Sequence, residues 1–324
     1  MTISFEKALE LSGDKRSLLI GNGFSIAQAG AQFSYSSLFE KSGIASDSAI
    51  GKVFASLETV DFELVMHALQ SAARIEDAYD EPTRATMFRG DAAKVRESLV
   101  QAVHSVHPGA QFNVPEDQLK TCGDFLTHFD NVFSLNYDLL LYWVILKVGG
   151  NRFSDGFGLG TENNGFRTFQ EGAHCNTYYL HGALHLFLGE QRETMKRIVT
   201  TSTIINDIAN TIRSRRQLPL FVAEGMSSQK MATINSVPYL HHAYAKFSKL
   251  TDSLFVYGHS LADNDRHIYD AIFDARAPER KLYVCVYSPD TNLQSSIEKL
   301  APFQARNKKI EVTYVDAGTV KLWK

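Results

Sequence analysis

The sequence predicts an α/β fold with a doubly wound, mostly parallel sheet and a helical insertion. Short apolar runs that suit buried strands alternate with helical segments, a pattern typical of parallel sheets. Four predicted strands end in glycine or polar residues, at Gly21, Asn136, His181 and Gly258. Because parallel strands present their carboxyl ends at one edge, where ligands of such folds bind, these four strand ends predict a binding site.

The chain is organised around its first strand, Leu18–Ile20, which stops at the turn Gly21-Asn22-Gly23. Phe24 and Ser25 follow and begin a helix. Backbone N–H groups in such a turn can approach an anion, and the helix dipole favours negative charge there. A nucleotide diphosphate is the usual occupant. The alternative is a plain strand-to-helix turn whose glycines serve only the backbone. The third glycine of the dinucleotide fingerprint is replaced by Ile26.

The composition is that of a globular protein with a sizeable core: 324 residues, of which 44% are hydrophobic and 21% charged. A net charge of −3 gives no reason to expect broad binding to nucleic acid or to an anionic membrane. No apolar run is long enough to span a bilayer, and the N-terminus lacks the apolar core of a signal peptide. Three widely spaced cysteines fit a reducing compartment and exclude a four-cysteine zinc site. We therefore expect a cytoplasmic protein.

The middle of the chain changes to helical periodicity, and no strand pattern is evident from about Ser36 to Phe125. The sequence therefore predicts a helical insertion over 36–124, which forms a cap over the site or a contact surface. Residues 1–35 and 125–324 then make up one nucleotide-binding domain. The strands predicted after the insertion cover 131–136, 177–180, 220–225, 253–257, 281–287 and 310–315. The segment 149–172 is predicted to be a loop.

Asn136 and Asp138 each have two interpretations. The carboxamide of Asn136 can hold a ribose hydroxyl or a water, because a buried amide must be hydrogen-bonded. Alternatively, Asn136 caps a helix that begins at Tyr137. Asp138 then falls in the first turn of that helix, where the dipole stabilises a carboxylate.

His181 ends a short apolar strand and is followed by a glycine. A histidine titrates near neutral pH and suits a general base, although a satisfied histidine at a strand end is the alternative. His185 could form a zinc pair with His181 only if a helix began here, and no third ligand is evident. We therefore expect no metal.

The loop Gly258-His259-Ser260 is a candidate for a second phosphate- or ribose-binding loop. Asp263 and Asp265 are most simply the cap and the first-turn acid of the next helix. A glycoside hydrolase would need two opposed carboxylates, which Asp138 and Asp265 could supply.

Four motifs occur in the order in which sirtuins carry theirs. They are Gly21-Asn-Gly-Phe-Ser25, Ser134-Leu-Asn-Tyr-Asp138, Leu180-His-Gly182 and Gly258-His-Ser-Leu261. The chain resembles bacterial sirtuin-like proteins, several of which hydrolyse NAD, phage-defence effectors among them. It is also similar to an abortive-infection family with a Gly-Asn-Gly-Phe start. The resemblance covers about residues 14–35 and 125–320 and implies a Rossmann-like, sirtuin-like sheet.

This resemblance implies an NAD glycohydrolase (NADase) that cleaves the nicotinamide–ribose bond, with Asn136 and His181 as its catalytic residues. NAD is then the substrate, and a homo-oligomer or a protein activator is a further expected partner. A membrane or a nucleic acid is not expected. The candidate cofactor-binding residues are Gly21, Asn22, Gly23, Phe24, Ser25, Asp138, Gly258, His259, Ser260 and Asp265.

Two departures from the sirtuin pattern bear on activity. The four cysteines of the sirtuin zinc ribbon are missing, which argues against protein deacetylation. The segment at the place of the nicotinamide-binding Asp, 30–35, contains no acid and offers only Gln32 and Ser34 as replacements. A non-catalytic sensor of NAD- or ADP-ribose-type nucleotides is therefore the alternative. A third option is a nucleic-acid-processing partner that uses the arginines of 192–216, which otherwise form a solvated face.

Overall fold

The computed structural model describes residues 1–29, 39–60, 62–106, 114–148, 152–158, 164–200, 203–220, 222, 226–274 and 276–324. The predicted nicotinamide segment 30–35, with Gln32 and Ser34, lies outside the described residues. Of the strand predicted over 220–225, only Leu220 and Val222 are described, and neither belongs to a strand.

Helices and strands alternate over most of the chain. The main helices are α1 (Phe5–Leu11), α2 (Gly23–Ala29), α3 (Ala49–Ser56), α4 (Phe62–Ala78), α5 (Pro82–Val106), α6 (Glu116–Leu126), α7 (Leu140–Val148), α8 (Ile204–Arg215), α9 (Ser227–Ser236), α10 (Pro238–Ser248), α11 (Arg266–Ile272) and α12 (Pro289–Gln304). The strands are β1 (Arg16–Ile20), β2 (Asn131–Ser134), β3 (Phe166–Thr168), β4 (Thr177–Tyr179), β5 (Leu186–Leu188), β6 (Thr194–Arg197), β7 (Ser253–Tyr257), β8 (Arg280–Val286) and β9 (Ile310–Asp316).

The central sheet has six strands within the described residues, in the order β4-β2-β1-β7-β8-β9. Every neighbouring pair is parallel. Counted along the chain, the strands of this sheet follow the order 3-2-1-4-5-6, which is that of the Rossmann fold. The predicted α/β class and doubly wound sheet are therefore confirmed.

Continuous apolar runs form this sheet because helices cover both of its faces. Leu18 and Ile20 of β1 belong to one hydrophobic cluster, and Leu19 between them belongs to a second cluster on the opposite face. All three side chains are fully buried. Parallel strands that are buried on both faces show such unbroken apolar runs rather than an alternating pattern.

A second, antiparallel sheet has the strand order β3-β6-β5. The sequence predicted a loop over 149–172, which is wrong at β3. Strands of three or four residues are too short to show a period of two. Buried polar contacts stabilise this sheet. Lys196 Nζ lies 2.7 Å from Asp155 Oδ2, and the backbone N–H of Arg197 donates to the carbonyl of His185 over 2.7 Å.

The described residues between α2 and β2 form helices and no strand, as predicted, and α4 packs against α5. Phe54 of α3 and Phe62 of α4 belong to the same hydrophobic cluster as Leu18 of β1 and Phe129 before β2. The helices and this face of the sheet thus share one core. Within the described part of the chain, no helix has the length and apolar character needed to cross a membrane.

Candidate functional site

A cleft of about 780 Å³ opens at the carboxyl edge of the central sheet. It lies where the loops after β1 and β7 meet, and between these neighbouring strands the strand order reverses. In open α/β sheets, ligands bind at this switch point. The cleft is therefore the candidate functional site.

Two glycine loops meet backbone to backbone beside the cleft. Gly23 N–H donates to the Gly258 carbonyl over 2.7 Å, and Gly21 N–H donates to the Tyr257 carbonyl over 2.9 Å. A Cβ added at Gly23 would lie 2.6 Å from Gly258 Cα, and one added at Gly258 would lie 2.6 Å from Phe24 N. Gly258 also has a φ of 69°, which L side chains rarely adopt. The close approach therefore requires glycine at both positions.

The turn after β1 offers fewer free N–H groups than the sequence predicted. Gly21 donates to the last residue of β7 and Gly23 to the loop after it, while Phe24 and Ser25 donate to carbonyls within the turn, each over 3.0 Å. The expectation that several N–H groups of this turn face an anion is therefore wrong. Asn22, which lines the cleft, is the residue of the turn whose N–H has no partner among the described residues.

Asn136 is held by a buried chain of hydrogen bonds. Its Nδ2 donates to Ser25 Oγ over 2.9 Å, and the Ser25 hydroxyl donates to the Asp138 carboxylate. Asp138 Oδ1 also accepts the N–H of Leu140, the first residue of α7, over 2.9 Å. The capping alternative for Asn136 is wrong, because the helix begins at Leu140 and Asp138 accepts its N–H.

This chain leaves the amide oxygen of Asn136 without a hydrogen-bond donor among the described residues. Burial raises the pKa of Asp138 to about 6, although the hydrogen bonds from Ser25 and Leu140 oppose the shift. Above that pH the ionised carboxylate polarises Ser25 and, through it, the amide of Asn136. Asn136 Oδ1 thus becomes a stronger acceptor for a hydroxyl in the cleft.

Asn136 and His181 follow neighbouring parallel strands in the same register. Ser134 of β2 pairs with Tyr179 of β4, so Asn136 and His181 each lie two residues beyond this pair. Both line the cleft and are largely buried, with 7% and 6% of their surface exposed. The structure thus brings the two residues together, as the argument from parallel strands predicted. Their catalytic roles stay predictions.

The ring of His181 belongs to a cluster of buried polar groups. Its Nε2 lies 2.9 Å from His267 Nε2 and 4.0 Å from Asp265 Oδ1. Burial lowers the pKa of His181 well below its ordinary value, so the ring is neutral. Burial also opposes ionisation of Asp265. The hydrogen bond from His259 and the charge of Lys230, whose Nζ lies 2.7 Å from Asp265 Oδ1, hold the pKa of Asp265 below its ordinary value.

The hydrogen bonds of His259 define its tautomer. Its Nδ1 accepts the N–H of Leu261 over 2.9 Å and lies 2.5 Å from the Tyr269 hydroxyl. A nitrogen that accepts a backbone N–H carries no proton, so Nε2 is protonated and donates to Asp265 Oδ2 over 3.0 Å. Asp263 and Asp265 lie in a 3₁₀ turn over 263–265 that leads directly into α11, so Asp265 is a first-turn acid as predicted. The predicted cap role of Asp263 is wrong, because Ala262 occupies the cap position of this turn.

One nitrogen or oxygen atom from each of His181, Asp265 and His267 lies within 4.8 Å of the others, close enough to hold a metal ion. These groups instead satisfy one another. The two histidines are hydrogen-bonded to each other, and the Lys230 ammonium neutralises the carboxylate. We therefore assign no metal ligands to this cluster.

His185 lies outside the cleft, between two tyrosines in the core. Its ring stacks on Tyr142 with centroids 4.8 Å apart and meets Tyr179 edge-on at 5.0 Å. Neither ring nitrogen has a partner among the described residues, and burial lowers the pKa of His185 to about 3. The described residues 181–185 form no helix, and His185 lies in the core outside the cleft, so the zinc pair considered from the sequence is wrong.

Most of the predicted site residues line the cleft, but Phe24, Ser25 and Asp138 do not. The ring of Phe24 packs on Trp323 in the core, and Ser25 and Asp138 are buried behind Asn136. The carboxylates of Asp138 and Asp265 are therefore not opposed across the cleft, and the glycoside-hydrolase alternative is wrong. The predicted residues that line the cleft are Gly21, Asn22, Gly23, Asn136, His181, Gly258, His259, Ser260 and Asp265.

Several residues of the cleft were not singled out from the sequence. Lys230 lines it from α9, and Tyr287, which is 77% exposed, lines it after β8. Lys324 belongs to a C-terminal segment that forms one wall and is anchored where Trp323 Nε1 donates to the Phe24 carbonyl over 2.8 Å. Tyr287 directly follows β8, so the rule that parallel strand ends meet at one edge of the sheet could have identified it, as it identified the four strand ends named from the sequence. Lys230 and Lys324 carry no such signal.

Residues 18–323 match the model of a domain of unknown function, DUF4917. The chain belongs to the DUF4917 family. The match begins within β1 and ends at Trp323, so the DUF4917 domain includes the helices α3 to α6 as well as the central sheet. A comparison with curated proteins finds no match.

Proposed function

We propose that this DUF4917 protein binds NAD in the cleft and hydrolyses the nicotinamide–ribose bond. The observation that carries the proposal is the placement of Asn136 and His181 in one cleft at the switch point of a Rossmann-like sheet. A cleft of about 780 Å³ is within the range of sites that take cofactor-sized ligands. The resemblance to sirtuin-like NADases assigns catalytic roles to the same two residues.

The two side chains suit the two tasks of this reaction. The amide oxygen of Asn136 can accept a ribose hydroxyl and favour positive charge that develops on the sugar. The neutral ring of His181 can take a proton from a ribose hydroxyl or from the attacking water. Nicotinamide leaves with its bonding electrons, and water supplies the hydroxyl that replaces it. Positioning and fixed dipoles provide most of the rate.

The test is the release of nicotinamide from NAD by the purified protein. We expect His181→Ala to lower turnover by about 10²- to 10⁴-fold and to retain NAD binding, because a general base acts chiefly in the transition state. Asn136→Ala should lower turnover and also weaken binding if its amide holds the ribose in the ground state. His241→Ala is the matched control, since His241 is an exposed histidine of α10. Wild-type turnover in His181→Ala, or no nicotinamide release by the wild-type protein, would contradict the proposal.

A non-catalytic sensor of NAD or ADP-ribose is the second candidate. The state of Asp265 favours the sensor. Asp265 carries the one side-chain carboxylate among the described residues that line the cleft, and this carboxylate is already bound by Lys230 and His259. Among the described residues of the cleft, no second acidic side chain is therefore available to hold nicotinamide. Calorimetric binding of both NAD and ADP-ribose without turnover would support the sensor.

A role as an abortive-infection effector in phage defence extends the first proposal and rests on the resemblance alone. It would require cellular NAD to fall after phage infection only in cells that carry active protein. Cells that carry the His181→Ala variant are the control, because their NAD level should not fall during infection.

A further inference from the structure

His181 is in direct contact with a second histidine that does not line the cleft. His181 Nε2 and His267 Nε2 are 2.9 Å apart, and the two rings are tilted by 28° with centroids 5.2 Å apart. Only 6% of His181 and 2% of His267 is exposed. The other ring nitrogen of His181, Nδ1, has no partner among the described residues. It is the nitrogen left to meet a substrate.

The pair shares one proton. Burial lowers the pKa of both rings, that of His267 to about 4, so both are neutral at pH 7. A hydrogen bond between two Nε2 atoms requires one to be protonated and the other bare. The tautomer of His267 therefore determines whether Nδ1 of His181 is bare and able to act as a base.

The far side of His267 leads toward the surface. Its Nδ1 lies 3.1 Å from Ser227 Oγ, which also accepts the backbone N–H of His267 over 2.8 Å. Ser227 is the first residue of α9 and is partly exposed, and the preceding Met226 is 66% exposed. A continuous chain of hydrogen bonds thus runs from the cleft to the start of α9.

The charged groups around the pair balance one another. Asp265 lies 4.0 Å from His181, and its charge is offset by Lys230 of α9 at 2.7 Å. His259 donates to the same carboxylate. The hydroxyl of Tyr244 in α10 donates to the backbone carbonyl of His267 over 2.8 Å, so this bond does not involve the ring nitrogens. No net charge in this cluster therefore fixes the shared proton on one ring.

We propose that His267 is a positioning residue for His181 that relays its proton to Ser227. This inference rests on the proposed NAD hydrolysis. A substrate or water proton binds His181 Nδ1, and the proton on His181 Nε2 passes to His267 Nε2. The proton on His267 Nδ1 then passes to Ser227, whose own hydroxyl proton leaves to water. One proton enters, one leaves, and no electrons are transferred.

The activity test uses His267→Ala and rescue by small imidazoles. We expect turnover to fall on the order of 10²-fold with little change in KM, because His267 does not line the cleft. Imidazole should restore turnover by filling the space left by the ring. 1-Methylimidazole, which has a single basic nitrogen and no N–H, should not restore it. Equal rescue by both compounds, or wild-type turnover in the variant, would overturn the relay. His241→Ala should need no rescue.

The pH profile provides a second readout. Removal of His267 should move the acid limb of turnover to higher pH. Burial is the largest cause of the low pKa of His181. Removal of the neighbouring ring opens space beside His181 and relieves part of this burial, which raises the pKa. If His267 did not contact His181 in solution, its removal would lower turnover without moving this limb. An unmoved limb would therefore count against the relay.

A measurement without turnover separates this inference from the proposed function. ¹⁵N NMR of the histidine rings of the wild-type protein should show one protonated and one bare Nε2 in the pair at neutral pH. Two protonated or two bare Nε2 atoms would overturn the shared proton, whether or not the protein cleaves NAD. Failure to release nicotinamide with the expected NMR pattern would instead reject the proposed function.

Discussion

His185 has the environment of a core residue but the polarity of a surface one. Both of its ring nitrogens are buried without a partner among the described residues, and Tyr142 and Tyr179 cover the ring. Burial of an unsatisfied polar group costs about 1–3 kcal/mol. The same burial makes the protonated ring far more costly, which is why the pKa of His185 falls to about 3.

We predict that His185→Phe removes part of the acid sensitivity of the protein. Because the folded-state pKa of about 3 lies below the ordinary value of 6.5, the unfolded chain binds the proton first as the pH falls. The contribution of His185 is thus retained above pH 6.5 and lost as the pH falls from 6.5 toward 3. At pH 5 the loss is about 2 kcal/mol. Urea unfolding at pH 7 and pH 5 should show a smaller drop in the free energy of unfolding for H185F than for wild type. His241→Phe is the exposed control, and an unchanged drop in H185F would contradict the prediction.

The residues of the site differ in how far the sequence could predict them. Asn136 and His181 were predictable because each directly follows a strand, and parallel strands bring such positions to one edge. His267 was not predictable, since 86 residues separate it from its partner His181 and it lies inside a helix. Lys230 likewise reaches Asp265 only through the packing of α9, which no local pattern reveals.

The glycine loops after β1 and β7 act as one unit at the scale of secondary structure. We predict that Gly258→Ala is more destabilising than Gly13→Ala. Both glycines have positive φ, 69° and 78°, so both variants bear a similar backbone cost. Only at Gly258 would the added Cβ collide with backbone, 2.6 Å from Phe24 N, because nothing lies within 4 Å of the position at Gly13.

Thermal and urea unfolding should give a loss of about 1 kcal/mol for G13A and of more than about 3 kcal/mol for G258A. The additional loss in G258A measures the contact between the two loops, because the backbone cost of a positive φ is common to both variants. Equal losses would show that this contact is easily relaxed.

Elements with long apolar runs were predicted well, and short or weakly patterned ones were missed. The strands of the central sheet were located within a few residues because their burial on two faces leaves unbroken apolar runs. The small antiparallel sheet was missed because its strands are short and two of them, β3 (Phe-Arg-Thr) and β6 (Thr-Met-Lys-Arg), contain no apolar run. Helix α9 was also missed, since only Lys230 and Ile234 of its ten residues are buried and no apolar stripe marks it.

At the scale of the whole molecule, the helices α3 to α6 and the central sheet share one hydrophobic core, although the sequence predicted the helices as an insertion. Phe62 of α4 is fully buried in this shared cluster, which also contains Trp143 of α7 and Trp323. No described residue of α3 to α6 lines the cleft, and these helices pack on the face of the sheet. The sequence could not show this, because periodicity identifies a helix but not its packing partner.

We predict that Phe62→Ala destabilises the helices and the cleft together, by about 3–5 kcal/mol. Trp323 fluorescence, recorded in a Trp143→Phe background, reports on the wall of the cleft. Far-UV circular dichroism reports on the helices. Both urea midpoints should fall by the same amount in F62A, whereas Tyr79→Ala, at a residue 77% exposed, should leave both unchanged. A shift of the circular dichroism midpoint alone would instead indicate separately folding domains.

The backbone contact between Gly23 and Gly258 also restricts how DUF4917 sequences can diverge. Each position lacks space for a side chain because of the other, so neither glycine can be replaced while the opposite loop stays as it is. Substitutions at the two positions should therefore be inherited together, with a rearranged second loop accompanying any change in the first. Two segments far apart in the chain thus evolve as one short motif, and an alignment of the family should reveal them as a covarying pair.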